Sequence, residues 1–264
     1  MNGLDRFFIL ILALLVFSSC SPSASELVEQ AEKDALSQRT QVARHLYGQV
    51  LREYDRKDEV RERALAGLFD LSLNQLHDYP LALQTADVLI AEFPSSSRLR
   101  TIRLKAAQVS RYQLEDPDRA MKYLEPLKES PNLSASEKQE LGRTQSAARQ
   151  YEAAEVTLKG AWDLAMKQSL CREARELQMD IMQVLSLQRK CPESLEWGEK
   201  PLMNGCSPDT YAVKVEMAQC YEFEGEPAQA IRIYEELIKL QPENSRVQLL
   251  LSNVKKRQKE KQVR

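Results

Sequence analysis

The chain is short of the residues that punctuate sheets and loops: 264 residues hold only 8 glycines and 11 prolines, and aromatic side chains make up 6%. That scarcity excludes collagen-like repeats, low-complexity disorder and an all-β sandwich dense in tight turns. Histidine is scarcer still. His45 and His77 each stand without a second His or Cys at ligand spacing, and the five cysteines contain no CxxC pair, so no metal site is expected. Charge of one sign is lacking too: 37 Lys and Arg face 39 Asp and Glu, which leaves no net basic field to hold nucleic acid. Glycine-rich phosphate loops, GxSxG and HExxH are all absent, so neither a catalytic centre nor a cofactor is expected. What is there, 43% hydrophobic and 29% charged residues, reads as a mostly helical protein with ample material for a core.

The first residues are organised differently. An unbroken apolar run from Phe7 to Phe17 follows Asp5 and Arg6 and precedes the small Ser18 and Ser19. Eleven helical residues reach only about 17 Å, short of the ~30 Å hydrocarbon layer, so the run reads as a secretory signal rather than a permanent span. Phe17-Ser18-Ser19-Cys20 resembles the lipobox of bacterial lipoproteins, with Phe17 where leucine is usual. The resemblance implies cleavage after Ser19 and lipidation of Cys20, and Ser21 in place of Asp implies sorting to the periplasmic face of the outer membrane. An ordinary secretory signal with a coincidental cysteine is the alternative. The reading is a leader over 1–19, a lipidated tether over 20–25 and a folded region from 26 onward.

Internal repetition is clearest near the end of that region. From Tyr211 to Glu243, apolar residues recur at helical spacing before Gly225 and after Pro227, and Pro242 stops the second run. Small Ala218 and Ala230 fall on facing sides of this helix pair, with Tyr221 and Tyr234 filling wider gaps. The pattern resembles a tetratricopeptide repeat, which has a small residue and an aromatic in its first helix, a glycine at the turn, and an alanine, an aromatic and a terminal proline in its second. Sliding the frame backwards finds Ala43, Ala82, Ala120, Ala154 and Ser194 in the position of Ala230, at intervals of 39, 38, 34, 40 and 36 residues. Asp70 and Gln108 occupy positions that should be small, while Ala66, Gly67, Ala106 and Ala107 stand close enough to make the contact in a shifted register. Gly198 and Pro201 should distort the second helix of the fifth unit. The resemblance implies an all-α, right-handed superhelical solenoid of about six helix-turn-helix repeats over 26–243, its concave side lined by the first helices. A capping helix and basic tail follow over 244–264, with Val247, Leu250, Leu251 and Val254 covering the last repeat. A non-repetitive helical bundle is the alternative fold.

Within this frame, Asn74, Tyr112, Arg143, Gln183 and Gln219 are the expected groove-lining residues, by family geometry. Cys171 and Cys206 share one end of the fifth hairpin, and Cys191 and Cys220 share the other; these are the pairings to expect if disulfides form, the alternative being buried free thiols. Trp162 and Trp197 fall on second helices and read as packing. The basic run from Lys255 to Arg264 reads as a solvated helix end whose cations suit the negative pole of the helix dipole. The resemblance implies a non-enzymatic scaffold for protein or peptide partners in an envelope assembly, of the barrel-assembly or pilus and secretion type, tethered to the membrane by lipid and not binding nucleic acid. An enzyme or regulator of cell-wall or polysaccharide metabolism that uses the repeats as a presenting arm is the alternative, and an unlipidated secreted adaptor is a third possibility.

Overall fold

The computed structural model describes residues 22–128, 130–207 and 209–262, so the leader over 1–19 and Cys20 lie outside the described residues. Thirteen helices and no strand occur among the described residues. They run α1 (Ala24–Leu36), α2 (Thr40–Glu53), α3 (Glu59–Asn74), α4 (Tyr79–Glu92), α5 (Leu99–Tyr112), α6 (Pro117–Lys128) and α7 (Ala135–Ala147). The rest are α8 (Tyr151–Lys167), α9 (Cys171–Leu187), α10 (Cys191–Glu199), α11 (Thr210–Phe223), α12 (Pro227–Leu240) and α13 (Ser245–Gln262). The first begins at Ala24, inside the stretch assigned to the tether, because Ser23 and Glu26 close a capping box around its free amides.

Odd- and even-numbered helices up to α12 follow one another through short turns, α1 packing on α2, α3 on α4, α7 on α8, α9 on α10 and α11 on α12, and the even members carry the six small residues of the repeat frame. Ala43, Ala82, Ala120, Ala154, Ser194 and Ala230 are all completely buried. The turns repeat with equal regularity: Gln38, His77, Glu115, Arg149, Arg189 and Gly225, one in each hairpin, all have positive φ, between 51° and 82°. In each, the next residue's N–H reaches back to a carbonyl in the last turn of the first helix, from Arg39 to Asp34 and Asp78 to Ser72 through to Glu226 and Tyr221, over 2.8–2.9 Å. In four of the six this is the five-residue Schellman closure of a helix end, in the second and third hairpins the bond spans six residues, and only one of the six turns uses glycine.

The chain divides into two compact units, one up to Ile102 and the other from Arg103 onward. In the first, α1 packs on α2 and α3, and Val28, Ala43, Tyr47, Ala64 and Leu68 form the core. The shifted register appears here as a close approach: a Cβ on Gly67 would stand 2.4 Å from the Tyr47 ring. Arg61 braces the same unit, donating to both carboxylate oxygens of Glu92 and to the carbonyls of Leu51 and Tyr54.

In the second unit, first helices touch the first helices of neighbouring hairpins, α7 on α9 and α9 on α11. One core gathers Leu158, Trp162, Leu177, Ile181 and Leu185, and another Ala218, Tyr234 and Leu237 with Val247 and Val254 of α13. Ala106 and Ala107 are completely buried in α5 beside the oversized Gln108. The fifth hairpin is distorted as expected: α10 stops at Glu199 after nine residues, and Gln178 holds the chain beyond it by donating to the carbonyls of Trp197 and Lys200. Trp162 and Trp197 meet edge to face at 5.1 Å, and the Lys200 ammonium sits 3.8 Å from the Trp197 ring centre.

Candidate functional site

The first helices of the second unit present polar and charged residues where they adjoin, and these residues line two neighbouring depressions. A concavity of about 480 Å³ is lined by Tyr112 of α5, Arg143 and Ala147 of α7, Leu158 of α8, and Gln183 and Leu187 of α9. A second, of about 390 Å³, shares Arg143 and Asp180 with the first and extends toward Arg172, Arg175 and Asp209. Together they follow the exposed side of α9, where residues 172, 175–176, 179–180, 183 and 187 recur at helical spacing.

The structure thus brings together Tyr112, Arg143 and Gln183, three of the five residues expected to line a groove. The other two do not join them. Asn74 ends α3 in the first unit, and Gln219 is half-buried on α11 and lines neither depression. The family-geometry rule takes one position from each first helix and has no account of the shortened fifth hairpin beside Gln219, which changes the neighbours that α11 meets.

Below the surface the concavity is held by ion pairs. Arg111 grips Glu140 with two N–H donors at 2.8–3.2 Å, and both side chains are more than nine-tenths buried. Arg143 donates to Asp180 at 2.8 Å and approaches Glu176 at 3.5 Å, while Gln139 donates to Asp180 at 2.7 Å. Burial raises the pKa of Asp180, and Arg143 and Gln139 offset part of that rise. The same burial disfavours the charge on Arg143, but its pairing with Asp180 outweighs this and raises its pKa. Both groups are therefore fixed in place, and Arg143 keeps a planar guanidinium at the mouth. Arg175 has no ion-pair partner among the described residues.

The rim is apolar. Tyr112 and Leu187 are the last residues of α5 and α9, and they are 54% and 55% exposed. Phe223, the last residue of α11, is as exposed but lines neither depression, and the Arg189 guanidinium lies 5.6 Å from its ring. Large apolar side chains standing in water beside a concavity are the usual mark of a surface that meets another molecule. Arg111, Glu140, Asp180 and Leu187 have no motif in the sequence. Their only signal there is that each lies within a turn or so of a predicted groove position.

Two further observations concern chemistry. Cys171 and Cys206 are joined as a disulfide with their Cα atoms 5.5 Å apart, whereas Cys191 and Cys220 are buried free thiols. The second pairing expected from the hairpin geometry is therefore absent, although the two side chains share a hydrogen bond and Ser186 lies 3.2 Å from the Cys220 sulfur. Among the described residues no group of three or more His, Cys, Asp or Glu stands close enough to hold a metal ion, and no helix is long and apolar enough to cross a membrane.

Residues 213–244 match the tetratricopeptide repeat family. Among solved structures, the chain is similar to PilW, a widely conserved type IV pilus biogenesis factor, at 14% identity and a TM-score of 0.56, over 88% of this chain and 100% of that one. It is also similar to YrrB, a tetratricopeptide protein with an unusual peptide-binding site, at 16% identity and a TM-score of 0.57, over 80% and 97% of the two chains. MamA gives 14% identity and a TM-score of 0.56 over 70% and 94%. At such identities the likeness is one of fold, and that fold is the tetratricopeptide helix-pair array. No curated protein matches by sequence.

Proposed function

We propose, from a fold shared with tetratricopeptide repeat proteins, that the chain is a non-enzymatic scaffold that holds a polypeptide partner against the first helices of its second unit during assembly of an envelope complex. The observation that carries this reading is the concavity lined by Tyr112, Arg143, Gln183 and Leu187, with its apolar rim and a guanidinium fixed at its mouth. A partner side chain entering there buries apolar surface against Leu158, Val184 and Leu187 while its backbone finds donors in Arg143 and Gln183. The ion pairs beneath are already satisfied, so binding requires no costly repacking of charge.

The envelope setting is supported by the sequence alone, through the Phe7–Phe17 apolar run and the lipobox-like Phe17-Ser18-Ser19-Cys20. In this reading a lipidated Cys20 keeps the array at the periplasmic face of the outer membrane, and two or more acyl chains make the anchor stable. PilW, a pilus biogenesis factor with the same fold along its whole length, supports a pilus or secretion type of assembly.

Photo-crosslinking in cells tests the scaffold. A photoreactive phenylalanine analogue at Gln183 captures a partner protein, whereas the same group at Val156, which is exposed on the second helix α8, does not. Equal capture at both positions, or none at Gln183, removes the concavity from the function. Retention of a Cys20→Ala variant in the membrane fraction at high salt, where electrostatic attraction to lipid is screened, removes the anchor without touching the scaffold.

A further inference from the structure

The charge of the chain is distributed unevenly. Residues 227–264 hold nine Lys and Arg against four Asp and Glu, while residues 1–226 hold 28 against 35. The cationic stretch is the last helix pair, α12 and α13. Between those helices lies a concavity of about 550 Å³, floored by Ile238 and Leu251 and rimmed by Lys255, Lys256 and Lys259, with no carboxylate in its lining. Of the five acids on these helices and the one before, three are engaged, Glu235 by Lys255 at 2.7 Å, Glu236 by Lys214 at 2.8 Å and Glu222 by Arg257, while Glu216 and Glu260 make no ion pair among the described residues. Lys256 and Lys259 are exposed and have no ion-pair partner among the described residues, and the same holds for Lys239 on α12. Two leucines stand in water on the same helices, Leu240 at 66% and Leu249 at 62% exposure, and Leu249 lies two turns before Lys256 on one side of α13.

We infer that this end of the molecule is a docking surface for anionic phospholipid bilayers. The chemistry favours a lipid surface over an acidic polypeptide. The cations that rim the concavity are all lysines, compact point charges that attract a sheet of phosphates without requiring the directional fork by which arginine grips a carboxylate. The exposed leucines and the Ile238–Leu251 floor supply the apolar contact that an interfacial helix makes at the boundary of headgroups and acyl chains. The surface is separate from the Arg143 concavity and requires nothing of Cys20, so it stands or falls independently of the scaffold and its anchor.

Flotation of the full-length protein with phosphatidylcholine vesicles, and with vesicles that also contain phosphatidylglycerol, tests the inference. The ratio of the two partition coefficients reports headgroup recognition and cancels any acyl anchor, which is indifferent to headgroup charge. Each lysine near such a surface changes the partition about fivefold at physiological salt, so Lys256→Ala with Lys259→Ala lowers the ratio about 25-fold, and high salt removes it altogether. Both side chains are exposed, and an unchanged circular dichroism melt shows that the variant is folded. Equal partition into the two vesicle types overturns the inference, as does a phosphatidylglycerol preference that survives the double substitution. Binding to polyglutamate that the same substitutions abolish, without any vesicle preference, reassigns the surface to an acidic polypeptide and overturns it as well.

Discussion

Gly225→Ala and Arg149→Gly are opposite edits at equivalent turns, so the helix-pair geometry requires their effects to have opposite signs. Both positions hold the left-handed backbone that closes a first helix, at φ 82° and 59°. A side chain in that region costs about 1–2 kcal/mol, and a residue other than glycine returns about 0.4–1 kcal/mol by narrowing the unfolded ensemble. The net loss for Gly225→Ala is then about 1 kcal/mol. No steric clash adds to it, since a Cβ on Gly225 meets nothing within 4 Å. Arg149 is exposed and its side chain makes no ion pair among the described residues, so replacement by glycine removes strain and little else, for a gain of about 0.5–1 kcal/mol. Guanidinium denaturation followed by circular dichroism resolves such differences, and in a thermal melt each corresponds to roughly 2–4 °C per kcal/mol for a protein of this size. Shifts of the same sign, or a Gly225→Ala variant as stable as the parent, would refute the argument that these six turns share one strained conformation.

Three other outcomes are expected. Gly67→Ala gains about 1 kcal/mol of helix propensity, but its Cβ would lie 2.4 Å from the buried Tyr47 ring, so chemical denaturation shows a net loss of about 1–2 kcal/mol. Burial acts to raise the pKa of Glu155, but hydrogen bonds from Lys159, Lys190 and Gln188 outweigh it and bring the value from 4.5 down to about 2. Because the folded value is depressed, the contribution is complete above pH 4.5 and disappears as the pH falls toward 2. Glu155→Gln is thus less stable than the parent at neutral pH, and the gap between their denaturation midpoints closes through that window. Burial, and then the hydrogen bond with Cys220, push the Cys191 thiol up to about 12, so iodoacetamide at mildly alkaline pH labels it only after denaturation, and labelling of the native protein would contradict its burial.

The helix pairs were legible because they rest on small residues at a near-constant interval, and all six of those residues are completely buried. The turns were not. Gly225 announces itself, but Gln38, His77, Glu115, Arg149 and Arg189 adopt the same left-handed geometry with side chains that ordinarily avoid it, held there by the hydrogen bond that follows. Glycine punctuation therefore finds one turn where the backbone has six. The concavity was half legible. Position within a first helix identified Tyr112, Arg143 and Gln183, whereas Arg111 with Glu140 and Arg143 with Asp180 are partnerships between helices 29 and 37 residues apart, which no local pattern encodes. The unbonded Cys191 and Cys220 make the same point: a shared end of a hairpin is necessary for a bridge but does not fix whether the bond forms.

The disulfide has a mechanical consequence for the weakest hairpin. Cys171 opens α9 and Cys206 lies beyond the truncated α10, so the bond encloses the entire fifth helix pair in a covalent ring. In an array whose stability is a chain of neighbour-to-neighbour couplings, the least well formed member is where a melt splits into separate stages. Closing that member keeps the helices on either side of it unfolding in step. A reducing milieu releases the ring, so the oxidation state of the compartment decides whether this unit denatures as one piece or comes apart at its fifth rung.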